Sequence, residues 1–539
     1  LTLDASVAAG PILDVVRETR PVEDLSFGGR PAVSATVRVA RRDGELGWKA
    51  VGQLESGPFR YRDVAATDLR ASFATDGGRF FIQDLELTLR TGTISADLLG
   101  EAGDYRLAAE IAADPTELLS LMGVKEREML GRMEFRDVPR VRVDLRGPEL
   151  KFKSLEGTGK IELGRTAMRD FWVDSGTSDL VLGDRAVRYV NLDIRKGKAR
   201  GTGSFTYDFG RREVRFDGIE TNLDPAGILM WIDPRIAKTV AVYRFKRTPD
   251  TKVDGVIHMG DPSANDLTVE LDAPGGMTYR LLNRDLEFGA TGGTVRVRGR
   301  RVLADVRRTS LYGGRGRVKA SVSIDKAKPD FSVDVALDGV DFPALTKLYF
   351  GYDRSEGKLS ATYRFDASLR NPSAMVGQGS IRVEDGHVMD IPLFGPLSSV
   401  LDAIIPGVGH EVASQATADF SVAGERITTK NLDIQGNGFE LAGEGSVGFP
   451  SGNLDLAVRI NARGVPGIVL FPVSKLLEYE STGTVSRPDW KPKIVPREFW
   501  EVLGFVGGKE PEREMEKPAK ETGNDEKKKF PGRASGRRR

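Results

Sequence analysis

The chain has 539 residues, and its 79 Lys and Arg stand against 78 Asp and Glu for a formal net charge of +1, so no global field draws it to nucleic acid or to acidic substrates. It has no cysteine and only three histidines, which excludes disulfides and thiolate metal sites and argues against an all-protein zinc site. A cysteine-free chain is at home in an oxidising compartment such as the periplasm.

Taken in chain order, short runs of alternating apolar and polar residues recur from end to end: LELTL at Leu85, Leu87 and Leu89, VNLDI with Leu192 and Ile194, FSVDVAL with Val333 and Val335, and LDLAVRI with Leu454, Leu456 and Val458. Period two marks a strand with one dry and one wet face and favours antiparallel pairing. The order of these strands also repeats. A strand meets a Gly turn, a partner strand follows (TISADLLG; ARGTGSFTY, with Phe205 and Tyr207; FELAGEGSVGF), a third strand runs back, and the chain enters a short apolar segment.

Those segments are 114–124 (DPTELLSLMGV), 224–233 (DPAGILMWID), 341–352 (DFPALTKLYFGY) and 464–479 (GVPGIVLFPVSKLLEY), at steps of 110, 117 and about 124 residues. Asp or Pro near each head can cap or open a helix, and apolar residues then recur at helical spacing. Gly92, Gly197, Gly313 and Gly438 precede Asp114, Asp224, Asp341 and Val465 by 22, 27, 28 and 27 residues. The period predicts β-repeat units over 1–130, 131–240 and 241–356, a C-terminal region over 357–492, a short amphipathic segment over 493–508, and a charged, disordered tail over 509–539. Pro262, Pro372 and Pro488 each read as ending a strand just before them.

The expected fold is mostly β: a long, repeat-built antiparallel sheet with short helices between repeats. Laid edge to edge at about 4.8 Å per strand, roughly 25 to 30 strands would run on the order of 120 to 145 Å. So long a sheet either folds into stacked sandwiches with a filled core or curls into an elongated, taco-like groove with an apolar inside. Aromatic residues make up only 8% of the chain, so few dry positions are filled by large rings, which leaves room for the groove.

Motifs for chemistry are sparse. Residues 443–448 (GEGSVG) fit GxGxxG, but the nucleotide fingerprint needs a helix after it, and a β-turn within paired strands is the expected reading. His258, His387 and His410 lie far apart and read as structural or surface residues. No catalytic group, metal or cofactor is expected, although a carboxylate pair formed through space is invisible to sequence. Residues 391–409 are the most apolar stretch, yet Asp402 and three prolines break it, and a spanning helix wants about 20 mostly apolar residues. Within it Leu393, Phe394, Leu397, Val400, Leu401 and Ile404 form one apolar stripe, either a helix packed on the sheet or a cap at a groove end that touches lipid. The segment FWEVLGFV at 499–506 invites the same two readings. The last 13 residues carry seven Lys or Arg and no acids, which solubilises the tail or attracts it weakly to an anionic surface.

Residues 377–492 carry a resemblance. GQGSIRVEDGHVMDIPLFGPLSSVLDAIIPG, followed by ATADFSVAGERITTKNLDIQGNGFELAGEGSVGFPSGNLDLAVRI, resembles the C-terminal region of the AsmA-like family of Gram-negative bacteria, the group of TamB and YhdP. The marks are the strand and DG turn before a PLFG-type helix, the strand pattern around NLDIQGNG, and the G.G turn followed by GNLDL. The resemblance implies a bridge-like lipid transfer protein of the cell envelope, active in outer-membrane biogenesis. Its long periplasmic β-groove would conduct phospholipid acyl chains between inner and outer membranes. It also implies an inner-membrane anchor, and because the sequence opens on Leu1 rather than Met, an N-terminal piece carrying that anchor is expected to precede it. An envelope protein partner is a further expectation. Two other classes stay open: a structural or adhesive repeat protein with a closed core, and an assembly factor that offers edge strands to outer-membrane proteins.

Overall fold

The structure, a computed structural model, describes residues 2–8 and 25–493 apart from 399–412, 463–477 and a few scattered positions between and beside strands. Alternation dictates strands, and most of the described chain is one 31-stranded sheet. A separate three-stranded sheet joins Met133–Phe135, Thr166–Met168 and Phe171–Val173. Four of the 31 strands form side ribbons: Leu25–Phe27 with Phe59–Tyr61, and Tyr243–Phe245 with Met277–Leu281. The other 27 make a meander in which each strand pairs antiparallel with the next, from Thr2–Ala8 to Arg487–Pro492. The pairing runs through the expected unit boundaries near 130, 240 and 356 without a break. Among the described residues the two end strands do not meet, so the sheet is not closed into a barrel.

Each unit repeats a bulge as well as an order of strands. Arg79–Leu89, Ala186–Lys196, Arg301–Leu311 and Arg426–Gln435 all slip register against the following strand, at Ile82/Leu85, Tyr189/Leu192, Val306/Thr309 and Thr429/Leu432. The cause is legible in the first two. Phe80 and Ile82 are in one phase and Leu85, Leu87 and Leu89 in the other, so one extra residue is needed to keep all five on one face. Asp84 (φ 51°) and Asn191 (φ 53°) supply it in left-handed conformations, which Asn and Asp tolerate better than most residues. The Asp84 amide donates to the Asp97 carboxylate at 2.9 Å, and the Asn191 side-chain amide donates to Asp179 at 2.8 Å. Asn431 donates to Asp419 at 2.8 Å in the fourth unit.

Three expected helical segments form. Asp114 caps the 3-10 helix Pro115–Leu121 by accepting from the Thr116 amide at 2.8 Å, and Asp224 caps Pro225–Ile232 by accepting from the Gly227 amide at 2.8 Å. Asp341 precedes Phe342–Phe350 without a side-chain capping bond; it pairs with Lys358 at 2.8 Å instead. The fourth segment, 464–479, lies almost entirely outside the described residues, as do the amphipathic segment and tail beyond 493. A second short helix, not expected from the sequence, follows in the first two units: Val124–Leu130 and Pro234–Val240.

The strands before Pro262, Pro372 and Pro488 end at His258, Ser368 and Thr484, a few residues short of each proline as expected. Pro262 opens a 3-10 turn, Pro372 is the second residue of Asn371–Gly386 and Pro488 lies inside the end strand Arg487–Pro492. A strand start and a sheet edge are places where a missing amide costs no ladder bond. GEGSVG is likewise strand, within Phe439–Gly448, rather than turn. A side chain at Gly443 would crowd Val458, and Gly445 sits at φ 148° against the backbone of Asp455, so close strand approach accounts for both glycines.

The largest buried cluster occupies the last third. Leu359, Val383, Ala416, Ile434, Leu441, Val458 and Ile460 from the sheet pack under Val388, Met389, Ile391, Phe394 and Leu397. Smaller clusters lie around Leu145, Leu180 and Leu182, and around Val64, Ala66 and Leu89, where Leu118 of the first helix packs down.

Candidate functional site

Cross-strand partners in an antiparallel pair point to the same face, so the registers trace where the dry residues meet. From Ala35 the partners run Gly52, Phe73, Ile82, Leu98, Leu107 and Leu145. They continue through Gly157, Leu182, Val187, Tyr207 and Val214 to Ile257. On the same strand as Ile257, Val253 starts a second row: Val269, Val295, Ala304, Ala320, Val333 and Phe365. That row ends through Gly377, Val422, Ile427 and Val447 at Leu454. No polar side chain interrupts either row. All four units therefore share one apolar face.

The twelve strand positions singled out from the sequence all lie on this face. Leu85 and Leu87 sit opposite Ala96 and Ile94, Leu192 and Ile194 opposite Gly203 and Gly201, and Phe205 opposite Tyr189. Val335 continues to Val318 on one side and Tyr363 on the other. Their exposure divides them. Leu85, Leu87, Leu192, Ile194, Phe205, Val333 and Val335 are half-buried, and Tyr207 is exposed. Along the second row every residue from Val253 to Phe365 is half-buried. Leu89, Leu454, Leu456 and Val458 are only 3%, 6%, 5% and 3% exposed. These four are covered in the structure rather than open. Val458 lies in the large cluster, and Leu89 under Leu118.

The stripe at 393–404 is partly described. Phe394 and Leu397 are buried and Leu393 is half-buried, all on the apolar face, and the Trp490 indole donates to the Leu393 carbonyl at 2.9 Å. Val400, Leu401 and Ile404 lie outside the described residues, as does His410. Sequence reasoning missed Val388, Met389 and Trp490 as members of this cover, and it missed the aromatic-on-glycine contacts. Phe73 lies over Gly52, Phe80 over Gly100 and Phe420 over Gly379. Tyr189 stacks on Phe205 at 4.4 Å, and Tyr363 lies 5.0 Å from Phe365 and 5.7 Å from Phe420. A Gly opposite an aromatic residue in the same phase is the signal that could have found them.

The opposite face is ionic. Arg142 and Arg140 reach Glu110 at 2.9 and 3.2 Å, Lys252 reaches Glu220 at 2.6 Å, and Arg315 reaches Asp338 at 2.8 Å. Hydrogen bonds from Arg195 and Arg200 hold the Asp193 carboxyl down at about 2. The Arg142 side chain likewise holds Glu110 below the ordinary carboxylate range. On the dry side, burial pushes the Tyr189 and Tyr363 hydroxyls up. An open cleft of about 740 Å³ includes Asp334, Arg364, Gln378, Asp419 and Lys430, and one of about 240 Å³ includes Arg188, Asp208, Glu213 and Arg215. His258 Nδ1 lies 3.3 Å from the buried Glu213 carboxylate, and His387 is half-buried. Among the described residues no group of three or more His, Asp or Glu is placed to hold a metal ion, and no helix is long and apolar enough to cross a membrane.

No protein-family model matches the chain, and no curated protein matches it. The apolar face is thus the feature on which a functional reading has to stand.

Proposed function

We propose that the apolar face is the floor of an elongated groove that carries phospholipid acyl chains between the membranes of a cell envelope, as the likeness to AsmA-like proteins suggests. The observation that carries this reading is the row from Val253 to Phe365, which is unbroken from strand to strand and yet only half-buried. Each CH₂ of an acyl chain exposed to water costs about 0.8 kcal/mol. A continuous dry path lowers that barrier along its whole length, while headgroups stay wet at the open side. Such a surface needs no catalytic residue. It needs every dry position to stay apolar.

The test is lipid passage by the double variant Val333→Asp/Val335→Asp. Two carboxylates in the row should stop photo-crosslinkable phospholipid from labelling positions on both sides of it, whereas wild-type protein labels along the row. Undiminished passage by a folded double variant would overturn the reading. A second reading, a closed-core structural repeat protein, draws on the burial of Leu454, Leu456 and Val458. It predicts that gently extracted protein carries no lipid in native mass spectrometry.

A further inference from the structure

The helix pair of the second unit is apolar beyond what its packing uses. Pro225–Ile232 (PAGILMWI) has no charged side chain, and its one buried residue is Gly227, seated against the Phe171 ring. A helix that is apolar all round is normally covered all round. Here Ile232 is 61% exposed, Ile236 49%, and just beyond the second helix Val242 49% and Tyr243 41%. Singly such residues need no explanation, but Ile232, Ile236 and Val242 follow closely along one helical turn-back and its exit, while Tyr243 opens the side ribbon and stacks on Tyr279 at 5.3 Å.

The helix pair and the strand after it carry mostly positive charge. Between Pro225 and Arg247 stand Arg235, Lys238, Arg244, Lys246 and Arg247 against a single acid, Asp233. Asp233 pairs with Arg235, and Asp285 and Glu287 from a neighbouring strand pair with Arg244 and Lys246, each at 2.7 Å. Lys238 and Arg247 are exposed and leave the segment net positive. The matching helices of the first unit differ. Over 115–130, Glu117, Glu126 and Glu128 outnumber Lys125 and Arg127.

We propose that the Pro225–Val240 helix pair is a membrane-surface contact that beds Ile232, Ile236 and Val242 at the headgroup boundary of an anionic bilayer, with Lys238 and Arg247 at the level of the phosphates. Exposed apolar side chains with exposed cations beside them in the chain are what an interfacial helix uses. This contact is independent of the acyl-carrying floor and would stand if that reading failed.

The chain has no cysteine, so one environment-sensitive NBD probe can be placed at will. Ile236→Cys in the helix and, as an exposed reference on the strand Arg301–Leu311, Leu303→Cys are labelled in the full chain and mixed with phosphatidylcholine vesicles with or without 30 mol% phosphatidylglycerol. The expected result is a blue shift at position 236 with the anionic vesicles only, and none at 303. Two cations at about 1 kcal/mol each correspond to an affinity loss of about thirty-fold for that signal in Lys238→Gln/Arg247→Gln. Circular dichroism confirms that the variant stays folded. No shift at 236, whether or not the protein sediments with vesicles, would overturn the proposal; so would equal shifts at 236 and 303, or an unchanged affinity in the Gln variant.

Discussion

Asp233 closes one helix and opens the next. Its backbone amide reaches the Leu229 carbonyl, while its carboxylate accepts from the Arg235 amide at 2.8 Å and pairs with the Arg235 side chain. The Arg235 side chain and amide hold its carboxyl down at about 2, below the ordinary value of about 3.9. A depressed folded-state value means that the contribution is fully present above about pH 4 and is lost as pH falls through about 2. An NMR titration should therefore find the Asp233 midpoint near 2, and Arg235→Ala should return it toward the ordinary range. Glycines on the dry face make a second residue-scale prediction. Gly157 lies at φ 152°, between Leu145 and Leu182, and a methyl there would strike the Asp144 carbonyl. Gly157→Ala should cost on the order of 1–3 kcal/mol, read as a lower urea midpoint for that part of the sheet.

At the scale of the element, the bulged strand is the device that keeps the face continuous. Deleting Asn191 should remove the bulge and send Leu192 and Ile194 to the wet side, or drag the following pairing out of register. Hydrogen exchange should then show lost protection in Ala186–Lys196 and Ala199–Asp208, while an Asn191→Gly variant, which keeps the left-handed residue, should retain it. Strands were legible in the sequence because alternation is a local signal. The bulges were not, because each run was read by its own phase, and the jump between Ile82 and Leu85 matters only against a partner. The second helices escaped notice for a related reason. PRIAKTV has one buried residue, Ala237, so it lacks the apolar stripe by which helices are recognised. Phe394 and Leu397 were found by helical spacing, but their burial over Val383 and Ile434 depends on strands distant in sequence.

For the whole molecule, sequence reading reached a mostly β chain with one large antiparallel sheet, and the twelve strand positions it singled out share one face of that sheet, but it stopped at exposure. Val333 and Leu454 look alike as alternating apolar residues, yet one is half-buried and the other nearly covered. The difference comes from what lies on the face, which no strand encodes by itself. Buried positions around Leu441 and Val458 should accordingly take up little crosslinkable lipid, and Val335 much. Equal labelling at the two would argue that the cover formed by Phe394 and Leu397 moves aside.

Because each main strand pairs with its successor in the chain, the sheet has almost no contact that must wait for a distant segment. Such connectivity keeps sequence separation between partners low, which favours rapid growth from any nucleus. Strands can zip onto a finished edge in the order in which they emerge from a ribosome or a translocation channel. The same connectivity lets either end fray without unseating the middle, so unfolding should come in several steps.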